Sequence, residues 1–374
     1  MAEVSRGAHV FNRASWDERH VELSVRENFY RVLEGEPPER IPWLIYSNLL
    51  PRGREERLLR NKGLGLVFAV TPYTVRNERV SVEERRVGDE VCRVYKTPVG
   101  EVVTRVKVGL VRGAGESWVV EYPIKRDEDY DVIEYMIEES EYEPNYSECE
   151  ALERDLGDDG VIFAWGDYTP LMKVIVHLMG FTKFSIEFYR NRRRLEELLK
   201  IIDRKEVEMY KIIAEAPVDL VKVGDNVDSM MISPPLFEKY LLPYYNKYAS
   251  ILHKGGKVVL SHMDGRLKSL KDLIAKTKLD IIEAFTPPPM GDLSIREARE
   301  AWRDKIIWIN FPESTFVYSD EELRAFTLSL LREMAPGDGY VLSITEDPPP
   351  EHYWRGLRVV TETLWEYGKY PIRV

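Results

Sequence analysis

Two hydrophobic rhythms divide the chain. From residue 125 onward, short and almost purely apolar runs alternate with longer amphipathic stretches of helical period. Between residues 75 and 122, apolar and polar residues alternate nearly one by one. The apolar runs fall at 160–165 (GVIFAW), 218–223 (VDLVKV), 257–261 (KVVLS), 279–284 (LDIIEA), 305–310 (KIIWIN) and 339–343 (GYVLS), and two more lie at 41–46 and 65–71. Helices are predicted near 24–34, 54–62, 126–139, 147–156, 170–178, 182–190, 193–214, 234–253, 266–275, 294–301, 320–334 and 352–367. The first has its start written out. Ser24 and Glu27 form a capping-box pattern, and Val25, Phe29, Val32 and Leu33 make the apolar stripe.

Near-continuous apolar strands that alternate with helices belong in a parallel sheet covered on both faces. Eight such strands predict an α/β fold, a (β/α)8 TIM barrel of one domain over residues 1–374, with a doubly wound open sheet as the alternative. Residues 75–122 carry turn signals at "GDE" and "PVGE" and read as antiparallel hairpins. This β insertion lies over the barrel mouth or forms a plain surface sheet. Residues 1–23 read as an N-terminal arm.

Composition narrows the class. Of the 374 residues 44% are hydrophobic and 31% charged, which suffices for a large core. The net charge of −11 and the absence of a basic stripe argue against a nucleic-acid partner. No apolar run is long enough for a membrane span, and the N-terminus lacks the apolar stretch of a signal peptide. Two cysteines, Cys92 and Cys149, cannot make a disulfide framework and fit a reducing, cytoplasmic setting. The chain has no glutamine and many Glu, Lys and Arg residues, a bias seen in heat-adapted proteins.

In a (β/α)8 barrel the active site lies at the carboxyl ends of the strands. Those ends are rich in polar groups here: Tyr46 and Asn48 after strand one, Asp167 and Tyr168 after strand three, and Asp225, Asn226 and Asp228 after strand four. His262 and Asp264 follow strand five, Glu283 lies near the end of strand six, Asn310 ends strand seven, and Glu346 follows strand eight. His262 and Asp264 are two apart, so extended backbone points both to one side. They read as a metal-ligand pair, as an acid/base pair, or as a histidine beside an aspartate that caps a helix at Arg266. Ser233 and Pro234 start the next helix without help from Asp225, which leaves that carboxylate free for catalysis or a ligand. Glu283 in an apolar strand needs a partner or a raised pKa, and a buried ion pair with an arginine would serve. His177 reads as a core or interface residue, and His253 as a cation at a helix end.

From "SVRENFYRVLEGEPPERIPW" to the final helix the chain resembles the uroporphyrinogen decarboxylase superfamily, and within it the corrinoid-linked methyltransferases, and four stretches carry the resemblance: "YKTPVGEV" at 95–102, "VGDNVDSMMISPPLFEKYLLPYY" at 223–245, "LSHMDG" at 260–265 and "YVLSITEDPP" at 340–349. The resemblance covers most of the chain and implies a (β/α)8 barrel. In that branch zinc is held by a His-x-Cys pair after strand five and a cysteine after strand eight, and activates a thiol. The matching positions here are His262, Asp264 and Glu346, so two sulfurs become oxygens. Such a set fits zinc or a harder divalent metal such as manganese or iron.

The resemblance therefore implies a metal-dependent methyltransferase or demethylase component. It would move a methyl group between a small substrate and a corrinoid (cobalamin-type, carried on a partner protein) or a thiol. Asp225 and Glu283 would handle protons or orient substrate, and Tyr46, Asn48, Asp167, Tyr168, Asn226 and Asn310 would line the pocket. A homodimer is the assembly implied by the decarboxylase branch. Two other readings are a metal-free carboxy-lyase, which would hold an acidic substrate through Arg52, Arg54 or Arg76, and a non-catalytic partner of a corrinoid protein.

Overall fold

The computed structural model describes residues 22–109 and 117–374. His9, His20 and residues 1–21 of the expected arm lie outside the described residues. Eight parallel strands close into a barrel: β1 (Trp43–Tyr46), β2 (Leu64–Val70), β3 (Gly160–Trp165), β4 (Leu220–Lys222), β5 (Val258–His262), β6 (Ile281–Phe285), β7 (Ile306–Asn310) and β8 (Tyr340–Ile344). Each strand pairs with the next, and β8 pairs with β1 through Trp43–Leu342 and Ile45–Ile344. That last pairing rules out the open sheet.

The barrel interior is packed with side chains. Leu44, Val67, Val161, Phe163, Leu220, Leu260, Ile281, Trp308 and Val341 form one buried cluster with Phe29 and Val32. The last two come from helix Val25–Leu33, which carries the expected Ser24–Glu27 capping box and fills the amino end of the barrel. Gly65 lets this helix approach, since a Cβ there would sit 2.6 Å from Val25. With the amino end filled, the carboxyl end is the face left for chemistry.

Several expected elements differ for local reasons. Helix 234–253 is two helices, Pro234–Tyr240 and Leu242–Lys254, because Pro243 has no N–H to continue the ladder. Helix 266–275 shrinks to Lys271–Ile274, since the Arg266 N–H goes to the Asp228 carboxylate and those of Leu267 and Lys268 go to Asp292. The stretch 170–178 is one α-turn, Pro170–Lys173, followed by a π-helix, Val174–Met179. Tyr73–Arg76 leaves the hairpin region and pairs antiparallel with Glu141–Pro144, a strand that the periodicity does not indicate. The remaining hairpins form a four-stranded antiparallel sheet of Ser81–Val87, Glu90–Thr97, Gly100–Val108 and Ser117–Glu121. Its buried side, with Val102 only 2% exposed, packs on helix Asp127–Glu138, where Gly100 comes close to Val132.

Candidate metal centre

Side chains alternate along each strand, so the residue two places after an inward apolar group also points inward. This rule builds a second layer above the apolar one. Leu44 is followed by Tyr46, Phe163 by Trp165, Leu220 by Lys222, Leu260 by His262 and Ile281 by Glu283. The strand pairing sets His262 directly beside Glu283. His262 Nδ1 lies 2.9 Å from Glu283 Oε2, and Lys222 Nζ lies 2.9 Å from the same oxygen. The Lys222 ammonium also donates to the Tyr46 hydroxyl at 2.7 Å, and that hydroxyl donates to Glu283 Oε1 at 2.5 Å. The ammonium faces the rings of Tyr46, Phe163 and Trp165, with centroids 5.2, 5.1 and 5.5 Å away. A β-bulge follows Glu283. The register shifts there, and Ala284 takes φ 59°, the left-handed region that non-glycine residues avoid.

Above this layer three ligand-type atoms converge. His262 Nε2 is 3.7 Å from Asp264 Oδ2 and 3.5 Å from Glu346 Oε1, and all three groups have ligand atoms within 4.8 Å of one another. Metal bonds of about 2.0–2.2 Å place tetrahedral ligand atoms about 3.3–3.6 Å apart, so the two His262 distances already match a shared divalent ion, and seating one requires Asp264 and Glu346 to close up. Side-chain exposure rises from 8% at His262 to 27% at Asp264 and 40% at Glu346, which leaves the outer side of the cluster open. The Glu283–His262 pair is the carboxylate–imidazole support that metal-bound histidines ordinarily carry. The donor set and its support therefore fit a divalent metal.

The electrostatics agree with the geometry. Burial and the Lys222 ammonium push the His262 pKa down, but the Glu283 and Asp264 carboxylates outweigh them and raise it to about 10. Burial pushes Glu283 up, yet Lys222 and His262 together hold it well below the usual carboxylate range. Burial likewise pushes Asp264 up, and its bond to His262 brings it below the ordinary value. Asp264 is free of the capping role, since Asp228 and Asp292 take the N–H groups of residues 266–268. Gly265 serves a close approach. A Cβ there would lie 2.5 Å from Asp228 and 2.6 Å from the Val227 carbonyl.

The other expected site residues divide into groups. Tyr46 and Glu283 belong to the layer under the cluster, and the cation that pairs with Glu283 is Lys222, not an arginine. Asp225 has a structural task that its sequence position does not reveal. It accepts from the Thr169 N–H at 2.8 Å, the Thr169 hydroxyl at 2.7 Å and the Tyr245 hydroxyl at 2.6 Å, and burial raises its pKa to about 7. Asn310 is fully buried and accepts from the Thr345 N–H, which holds the segment that carries Glu346. Asp167 pairs with Lys173 at 2.7 Å and lines a separate cavity of about 520 Å³ shared with Tyr73, Tyr95 and Tyr142. Tyr168 packs edge-on against Trp165 and His177, and its pKa is raised to about 12, first by burial and then by Asp225, Asp167 and Asp264. His177 is exposed on the π-helix rather than in a core. Asn48 and Asn226 are exposed.

Two residues escape the strand-end reading. Lys222 sits inside β4, and its signal was available: a cation in the apolar run VDLVKV, in phase with inward Leu220. Glu313 follows β7 and is 2% exposed. It accepts from Asn310 through one oxygen, its other oxygen has no partner, and burial with nearby Glu346 raises its pKa to about 8.

Comparison with known proteins places this barrel. The family model described as uroporphyrinogen decarboxylase (URO-D) matches residues 93–367. No curated protein matches the chain. Among solved structures it is similar to a methyltransferase from Methanosarcina mazei, at 14% identity and a TM-score of 0.57 over 92% of this chain and 99% of that one. Lower in likeness are a tandem catalytic module of a pneumococcal exo-beta-D-N-acetylglucosaminidase (10% identity, TM-score 0.39, 87% of this chain and 85% of that one) and Dispersin B (11%, 0.32, 60% and 77%). The chain belongs to the uroporphyrinogen decarboxylase family.

Proposed function

We propose that this protein is a metal-dependent methyltransferase or demethylase component that moves a methyl group between a small substrate and a corrinoid or thiol acceptor. The observation that carries the reading is the open His262–Asp264–Glu346 cluster backed by Glu283. Family membership and the shared fold with the archaeal methyltransferase are consistent with it. His262 would bind through Nε2, and Asp264 and Glu346 through one carboxylate oxygen each. Zinc or a harder divalent ion bound there supplies Lewis acidity to one partner of the transfer. Glu283 holds the His262 ring through Nδ1, and Tyr46 holds Glu283. A corrinoid would reach the mouth on a partner protein.

The carboxy-lyase reading has less support. Arg52 pairs with Glu56 at 2.5 Å, and Arg76 pairs with Glu78 and Glu143. Both are already paired with carboxylates, and of the three expected arginines only Arg54 makes no ion pair among the described residues. Elemental analysis of the purified protein tests the proposal. It should contain about one divalent ion per chain, lost in His262→Ala, and metal-stripped protein should need that ion for methyl transfer to a corrinoid acceptor. Full activity without metal sinks it.

A further inference from the structure

The layer beneath the cluster contains a group that the proposed metal chemistry does not itself explain. Lys222 is a lysine inside a barrel, with 4% of its side chain exposed. Three aromatic rings surround its ammonium, and its one charge partner within salt-bridge distance among the described residues is Glu283. Glu283 is equally enclosed, at 1%. An isolated carboxylate at such a site is costly, and the cost falls only when a cation and hydrogen bonds satisfy it. Tyr46 does this at Oε1, while Lys222 Nζ and His262 Nδ1 share Oε2 and lie 3.2 Å from each other. An Nδ1–H donated to Glu283 leaves Nε2 as the lone-pair atom, and Nε2 is the atom that faces Asp264 and Glu346. Trp165 is paired with Lys222 across the β3–β4 ladder, so the lysine's placement is set by strand register.

We infer that Lys222 is a positioning residue for metal binding: its ammonium, 2.9 Å from Glu283, fixes that carboxylate in place together with the Tyr46 hydroxyl, and Glu283 in turn aims His262 Nε2 at the ion. The inference rests on the proposed metal centre. It assigns Lys222 no contact with metal or substrate. Its consequence is that Lys222 and Glu283 form one unit, so that removing one charge harms binding more than removing both.

The test is a titration of metal-stripped protein with Co2+, followed by the absorption of the bound ion, for the parent, Lys222→Met, Glu283→Gln and the double variant. Lys222→Met should weaken Co2+ binding at least tenfold, and Glu283→Gln by about 10- to 100-fold. The double variant should bind more tightly than either single one, because the amide that Glu283→Gln introduces still offers an oxygen to Nδ1–H and no charge is left unpaired. Losses that add, or a Lys222→Met protein that binds like the parent, overturn the inference. If Lys222→Met does not fold, as circular dichroism will show, the comparison is Glu283→Gln against the double variant. There a double variant that binds no more tightly overturns it. Failure of the parent itself to bind Co2+, Zn2+ or Mn2+ would instead strike the proposed function and with it this inference, so the two failures are distinguishable.

Discussion

Two buried lysine–carboxylate networks lie on either side of the β3–β4 wall, and they behave oppositely. Inside the barrel, Lys222 meets Glu283 at 2.9 Å, and the carboxylate is held ionised. Outside it, Lys173 meets Asp167 at 2.7 Å and Glu206 at 3.4 Å. The shorter contact goes to Asp167, and burial raises the pKa of Glu206 to about 8 against the weaker pull of Lys173. The inner network passes its charge to an imidazole whose far nitrogen opens on the cluster. The outer one ends in the Tyr248 hydroxyl, which donates to Glu206 at 2.8 Å. A buried ion pair is thus no mark of a site by itself. An unspent ligand atom at its end makes the difference.

The contrast can be broken in order of expected effect. His262→Ala should abolish divalent-metal binding outright, since it removes the one nitrogen ligand and the link to the inner network; calorimetric titration with Zn2+ checks this. Glu346→Ala should leave binding weakened by about 10- to 100-fold with the fold intact, because its side chain is the most exposed of the three. Lys173→Met should do the reverse. It should leave metal affinity unchanged and lower stability in urea by about 3 kcal/mol, because it strands Glu206 and Asp167.

The pH dependences should also separate the networks. His262 has its pKa raised to about 10, so at lower pH a proton must leave before Nε2 can bind a metal. Metal affinity should therefore rise with pH across the neutral range, by at most about tenfold per unit. Glu206 has a folded-state pKa above its unfolded one. Its contribution to stability is full below the ordinary carboxylate range and is lost as pH rises through about 8. Glu206→Gln should flatten that decline in melting temperature between the ordinary carboxylate range and about pH 8, while leaving the pH dependence of metal binding in place. A decline that persists in the variant assigns it to Asp225 or Glu313, whose pKa values are raised in the same direction.

Much of this was legible in the chain. The eight apolar runs became the eight barrel strands, because a strand buried on both faces writes itself as an apolar run whatever its neighbours are. His262, Asp264 and Glu346 were visible as polar residues at strand ends. The competing capping role for Asp264 fell away only when Asp228 and Asp292 were seen to take the N–H groups. The hydrogen-bond partners of Asp225 were hidden by the opposite route. Its sequence neighbours offer it no structural task, and its partners, Thr169 and Tyr245, come from other parts of the chain.

The sequence by itself determined which residues point inward, since alternation is a local property of extended backbone. It did so even for Lys222, whose phase with Leu220 is plain in VDLVKV. Tertiary structure decided which inward residues meet. Closure of β8 onto β1 brings Glu346 to His262, 84 positions away, and the register of β5 on β6 sets His262 beside Glu283. Shear around a closed barrel is a collective consequence of all eight pairings, and no single strand encodes it.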